Sequence, residues 1–358
     1  MPQRSSSETP KPTPTERSEA LPVLVLPSST DDSQADGTTT SNPVHLLFCS
    51  NALYLQHVGV CLTSLLVNNP GLFFNIVIVG RATEALDEEK LRRTLTRFSN
   101  HSLSFRKFAF PATRILPLNP DAHYTLDNWT RLWVGDFFAS DTDRVLYLDG
   151  DIVVVGDVAP LWRTDLAGAL LGAVDIPGSL DGVVKLAMRA EDGYFNSGVL
   201  LLDLKQWRET QALDTILRYV DAYPERLRYT LDQDALNACF YSRRKRLEFK
   251  WNATWSFFRE PVELPLTPAE VESVRREARV IHFNSNVKPW SYFCEHPRKA
   301  EYEKYLRMTE WCDFVPEDRT MINRLRKGVS AILPESAKRG LKALAPRVFD
   351  RSRPTLKA

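Results

Sequence analysis

No run in this chain of 358 residues approaches the roughly eighteen consecutive apolar residues that a membrane-crossing helix needs. The longest early apolar stretch, residues 21–26, contains Pro22 and is closed by Pro27, so neither a spanning helix nor a signal peptide is expected. Cysteine is scarce. Cys49, Cys61, Cys239, Cys294 and Cys312 are odd in number, sit mostly in apolar runs and have no C-x-x-C spacing, which argues for reduced packing thiols and against a disulfide frame or zinc site. Without a secretory signal, the Asn-x-Ser/Thr triplets at Asn100, Asn128 and Asn252 carry no weight as glycosylation acceptors. Net charge is nearly absent at +1, but its distribution is uneven. Residues 319–358 hold eleven basic side chains against two acidic ones, which leaves −8 on the rest. No aromatic platform is interleaved with these charges, so no nucleic-acid partner is expected.

With 43% hydrophobic residues the chain can bury a full α/β core. Residues 1–42 are rich in Ser, Thr, Pro and acidic side chains and are expected to form a disordered tail, because they cannot bury enough apolar surface to offset ordering. A domain over 43–318 and a basic tail over 319–358 follow. Short apolar stretches at 44–48, 73–79, 103–108 and 145–148 read as strands; 57–68, 86–98 and 129–138 between them read as helices. Further strands are expected at 170–174, 198–203 and 280–283, and helices at 210–222 and 232–240. This alternation predicts a sheet covered on both faces, with ligands at the carboxyl ends of its strands.

Asp149-Gly150-Asp151 falls at such an end. Two carboxylates in a cleft repel each other and lose solvation, so their pairing points to a hard divalent cation, Mg²⁺ or Mn²⁺. Gly150 removes a side chain where phosphates would approach. Four other stretches accompany this one: HLLFCSNALYLQHVGVCLTSLLVNNPG (45–71), DNWTRLWVGDF (127–137), GYFNSGVLLLDLKQW with YTLDQDALN (193–207 and 229–237), and IHFNSNVKPW (281–290).

In this order the five stretches resemble the family 8 retaining glycosyltransferases, among them lipopolysaccharide galactosyl- and glucosyltransferases, over residues 44–311. The resemblance implies an α/β fold of glycosyltransferase-A type, with a Rossmann-like mixed sheet flanked by helices. It also implies transfer of glucose or galactose from a UDP-sugar to a glycan or lipid-linked saccharide. Residue by residue, it implies that His282 joins Asp149 and Asp151 on the metal, a set that suits Mn²⁺ better than Mg²⁺. Lys288 would contact the diphosphate, Tyr54 would stack on the uracil with Asn51 beside it, and Arg131 would reach the donor sugar or its phosphates. Asp175, Asn196, Ser197, Asp232 and Gln233 would hold sugar hydroxyls and the reacting carbon. Ser285 stands where the family commonly has glycine, and would either crowd a backbone approach to the phosphates or replace it with a hydroxyl donor. Gln233 stands where a carboxylate nucleophile would be expected, and a neutral amide is a poor nucleophile, so the resemblance implies front-face substitution, with departing UDP helping to deprotonate the acceptor, or a transient ion pair.

Ile322, Leu325, Val329 and Ile332 recur at helical spacing within the basic tail, as expected of a segment lying on an anionic membrane; a basic solvated tail and a helix packed on the domain are the alternatives. The expectation is a cytoplasmic enzyme, peripheral at the inner membrane face. The alternatives are a non-catalytic nucleotide-sugar-binding protein and, more remotely, a glycan-binding structural protein.

Overall fold

The computed structural model describes residues 26–27, 43–80, 85–111, 116–117, 126–227 and 230–332, with side chains of 26–27 and 329–332 excepted. The strands in chain order are β1 (Leu26–Pro27), β2 (Val44–Cys49), β3 (Phe74–Gly80), β4 (His101–Lys107), β5 (Arg144–Leu148), β6 (Ile152–Val154), β7 (Leu171–Asp175), β8 (Phe195–Asp203), β9 (Arg244–Arg246), β10 (Ala253–Thr254) and β11 (Val280–His282). Among the described residues they form an eight-stranded sheet ordered β1-β4-β3-β2-β5-β8-β7-β9 and a three-stranded sheet ordered β10-β11-β6. Apart from Leu26–Pro27, which pair antiparallel with β4, the tail expected to be disordered lies outside the described residues.

The large sheet is mixed. β4, β3, β2 and β5 run parallel, and β8 is antiparallel to both β5 and β7. Side chains alternate across it as strand geometry requires. Leu46, Phe48, Leu146 and Leu148 enter one apolar layer, while Leu47, Val145 and Tyr147 enter the other. Both faces are therefore buried, which explains why these strands read as continuous apolar runs.

Two features of topology assemble the site. Because β8 runs against β5, its amino end returns to the carboxyl end of β5, where Asp149 N–H donates to Gly198 O at 2.8 Å. After Asp151 the chain leaves the large sheet for β6, whose Ile152 registers with His282 of β11, and Phe283 N–H donates to Asp151 O at 3.0 Å. A histidine distant in sequence is thus placed beside the Asp-Gly-Asp turn by three-residue strands.

The expected helix at 57–68 begins earlier, at Ala52, because the Asn51 side chain caps it by accepting from Tyr54 N–H at 3.2 Å. The expected helix at 129–138 is a 3₁₀ helix over Leu126–Asp136, broken at Trp133. The helix over Asp232–Phe240 has the expected bounds. The basic tail starts as a helix over Met321–Ile332, with Ile322 and Leu325 exposed. Lys327 Nζ donates to Tyr292 O at 3.0 Å and Asn323 Nδ2 to Asp318 O at 2.8 Å, which tether it to the domain. The rest of the tail lies outside the described residues.

Candidate metal and donor site

Asp149, Asp151 and His282 are drawn together at the joint between the two sheets, each offering one ligand atom within 4.8 Å of the others. His282 Nε2 lies 3.2 Å from Asp151 Oδ1 and 3.7 Å from Asp149 Oδ2. An imidazole nitrogen and two carboxylates aimed at one spot repel unless a cation lies among them, so this donor set fits a hard or borderline divalent ion. Space for it depends on Gly198. A Cβ there would stand 2.2 Å from His282 Cε1 and 2.8 Å from Asp149 Oδ2.

Lys288 Nζ donates to Asp151 Oδ2 at 2.6 Å and to Phe283 O at 3.1 Å. Burial alone would raise the Asp151 carboxyl, but the Lys288 ammonium beside it outweighs that and holds it well below the usual carboxylate range. The lysine's loop is docked by Trp290, which stacks on His57 with ring centroids 3.5 Å apart and planes 8° from parallel. His57 in turn shares a hydrogen bond of 2.7 Å with Tyr302 Oη. Tyr54 meets Trp290 edge-on at 5.5 Å and keeps 36% of its surface exposed, so its ring is accessible to a flat base.

Beneath the carboxylates lies Arg131, 6% exposed. Its Nη1 is 3.1 Å from Asp149 Oδ1 and donates to Ser197 O at 2.9 Å, and its guanidinium sits 4.5 Å over the Tyr147 ring. Tyr147 Oη also donates to Asp149 Oδ1 at 2.6 Å. Arg131 Nε is 3.0 Å from Asp232 Oδ2 but directs its hydrogen to Asn128 O at 3.1 Å. Asp232 Oδ2 is consequently buried without a hydrogen-bond donor among the described residues. Burial pushes this carboxyl up to about 7 against the pull of Arg131.

Gln233 is held at both ends. Its Oε1 accepts from Ser197 N–H at 2.8 Å and Asn196 Nδ2 at 3.2 Å, and its Nε2 donates to Tyr194 Oη at 3.1 Å. The structure therefore brings Asp149, Asp151, His282, Lys288, Arg131, Asp232, Gln233, Asn196 and Ser197 into one contiguous network. Asn51, Asp175 and Ser285 bond to other partners outside that network. Asn51 caps its helix and donates to Asp127 at 3.1 Å; Asp175 is gripped by Arg244 at 2.5 Å and Arg246 at 3.2 Å; Ser285 Oγ donates to Val287 O at 2.8 Å within its turn. The close neighbours of Gly150 are Val58 Cγ2, 3.1 Å from a built Cβ, and Tyr54 Cδ1 at 3.5 Å, so a side chain there would press on the helix over Ala52–Asn68. Asn252, given no weight in the sequence, is 0% exposed and its Oδ1 lies 2.9 Å from His282 Nδ1.

The family model for glycosyl transferase family 8 matches residues 45–294. The chain belongs to this family. Its similar relatives include a lipopolysaccharide 1,2-glucosyltransferase of Escherichia coli (strain K12), 25% identical over 82% of this chain and 86% of the relative. General stress protein A of Bacillus subtilis (strain 168) is 24% identical over 75% and 94%. The solved structure of the galactosyltransferase LgtC with donor and acceptor sugar analogues matches with a TM-score of 0.65 at 24% identity, over 77% of this chain and 98% of that one. The family 8 fold expected from the motifs, a glycosyltransferase-A type mixed sheet flanked by helices, is the one observed. No helix among the described residues is long and apolar enough to cross a membrane.

Proposed function

We propose that this family 8 member is a Mn²⁺-dependent retaining hexosyltransferase that moves glucose or galactose from UDP to a glycan or lipid-linked saccharide. The observation that carries this reading is the convergence of Asp149, Asp151 and His282, with Lys288 on the same carboxylate, at the carboxyl end of β5. Two carboxylates and an imidazole favour Mn²⁺ over Mg²⁺. When bound, the ion supplies positive charge against the diphosphate as the glycosidic bond breaks. The lipopolysaccharide 1,2-glucosyltransferase among the relatives supports a hexose donor and a lipid-linked saccharide acceptor.

The chain's own residues divide the remaining work. Lys288 steadies charge growing on departing UDP, and Tyr54 offers its ring to the base. Asp232 Oδ2, lacking a donor of its own, accepts a hydrogen bond from a sugar hydroxyl, which relieves the cost of its burial. Arg131 holds Asp149 and Asp232 in place. Gln233, neutral and fixed at both ends, cannot act as a carboxylate nucleophile; substitution on one face, with UDP helping to deprotonate the acceptor, suits it better. The helix over Met321–Ile332 exposes Ile322 and Leu325 among Arg324, Arg326 and Lys327, which supports attachment to an anionic membrane on the cytoplasmic side.

The test is to incubate purified protein with UDP-glucose or UDP-galactose and Mn²⁺ and to measure released UDP. Release that depends on Mn²⁺ supports the transferase. Donor binding without release selects the non-catalytic nucleotide-sugar-binding alternative, and absence of both rejects the two readings together.

A further inference from the structure

Resting on the metal reading above, we propose that Asn252 is a positioning residue: it locks His282 in the tautomer able to bind a cation and couples that ligand to Asn196 and Gln233 beside the sugar site. The argument starts from groups that cannot flip. Gly198 N–H, a backbone donor, points at the Asn196 side chain at 2.9 Å, so the atom it meets must be the amide oxygen. Asn252 presents the other partner of that oxygen at 2.8 Å, and this must be its NH₂. The opposite end of Asn252 is then its oxygen, and it lies 2.9 Å from His282 Nδ1. Only Nδ1–H can satisfy it. A neutral imidazole carries one ring proton, so Nε2 is left bare and faces Asp149 and Asp151.

A second backbone donor gives the same answer independently. Ser197 N–H fixes the oxygen of Gln233 at 2.8 Å, so the Asn196 atom 3.2 Å from that oxygen must be its NH₂, which returns the Asn196 oxygen to Asn252. The chain of donors therefore runs one way, from His282 through Asn252, Asn196 and Gln233 to Tyr194 and Asp234. All six side chains are buried. Asn252 itself is held immediately before β10, which pairs with β11 in a register that sets Thr254 against His282. A displacement of His282 is thereby passed to the amides that flank the donor sugar, and ordering of those amides is passed back to the metal ligand.

Two substitutions separate the two ends of this residue. Asn252→Ala removes both contacts, whereas Asn252→Asp keeps an acceptor for Nδ1–H but sets an oxygen against the Asn196 oxygen. Mn²⁺ affinity is read on the donor-free protein by electron paramagnetic resonance, and UDP-sugar turnover is measured alongside. Asn252→Ala is expected to weaken Mn²⁺ binding about 10- to 100-fold. Asn252→Asp is expected to hold Mn²⁺ nearly as wild type while losing kcat and raising KM for the donor. Should the alanine variant fail to fold, the aspartate variant still decides, because loss of its Mn²⁺ affinity or wild-type turnover by it overturns the proposal. Wild-type affinity in Asn252→Ala overturns it too. Wild-type protein that binds no Mn²⁺ removes the metal reading itself and this inference with it.

Discussion

Gly198→Ala adds one methyl group where the structure leaves no room. The new Cβ would stand 2.2 Å from His282 Cε1, 2.8 Å from His282 Nδ1 and 2.8 Å from Asp149 Oδ2. Ordinary contact begins near 3.4 Å, so the imidazole must retreat by about 1.2 Å or the strand must buckle. Overpacking of this kind costs about 1–3 kcal/mol, and metal–ligand distances tolerate only about 0.2 Å. If the ligands yield, the same energy appears as Mn²⁺ affinity lowered about 5- to 150-fold, since about 1.4 kcal/mol is tenfold. If the strand yields, it appears as a lower thermal midpoint instead. Calorimetric Mn²⁺ titration and thermal unfolding of the same preparation distinguish the two. A folded Gly198→Ala protein with wild-type Mn²⁺ affinity, thermal midpoint and turnover would refute the placement of His282 against β8.

Lys288→Ala should lower kcat more than it weakens donor binding, since the charge it opposes grows toward the transition state; steady-state kinetics with donor titration shows whether the loss lies in affinity alone, which would mark a ground-state contact. Burial holds His296 near 3 in the folded protein, among Trp255, Phe258 and Phe283, while its unfolded value stays near 6.5. The unfolded chain therefore binds the extra proton as pH falls from 6.5 toward 3, and each unit of that window costs up to about 1.4 kcal/mol of stability. Urea unfolding at pH 7.5 and 5.0 should show a smaller acid loss for His296→Phe than for wild type, and equal losses would reject the neutral buried imidazole. Deleting 319–358 should leave UDP release near wild type but lower binding to anionic vesicles, binding that in the undeleted protein should fall steeply as salt rises, because each basic residue near such a surface contributes about 1 kcal/mol; undiminished vesicle binding by the truncated protein would remove the membrane assignment.

What the sequence made legible follows from how local each signal is. The apolar runs that became β2, β3, β5 and β8 are buried on both faces, and the helix over Asp232–Phe240 begins and ends as expected. Asp149 and Asp151 were readable because a strand end and two carboxylates are adjacent in the chain. The ion pair at Asp175 was not, since its partner Arg244 lies 69 residues away and nothing in either neighbourhood announces it. Asn252 was hidden for a similar reason. Its side chain acquires meaning only when β10 docks beside β11, and the triplet that contains it resembles a surface glycosylation signal although the residue is 0% exposed. Asn51 illustrates a third limit: a carboxamide before a helix suits capping and ligand contact equally well, and only the Tyr54 N–H distance of 3.2 Å shows that it caps.

The candidate metal ligands come from both sheets: Asp149 follows directly on a strand of the large one, and His282 ends a strand of the small one. An ion held there acts as a rivet between two bodies that otherwise meet through packing and short strands. Occupancy at a hundred times the dissociation constant adds about 2.7 kcal/mol to the folded state, and that gain is concentrated on the seam. Chelation should therefore loosen the small sheet before the large one, with amide exchange rising first around 252–254 and 280–283. On the proposed metal reading, heat resistance and donor chemistry share one fastening, and a melting curve taken with and without Mn²⁺ should report on the sugar site without any sugar present.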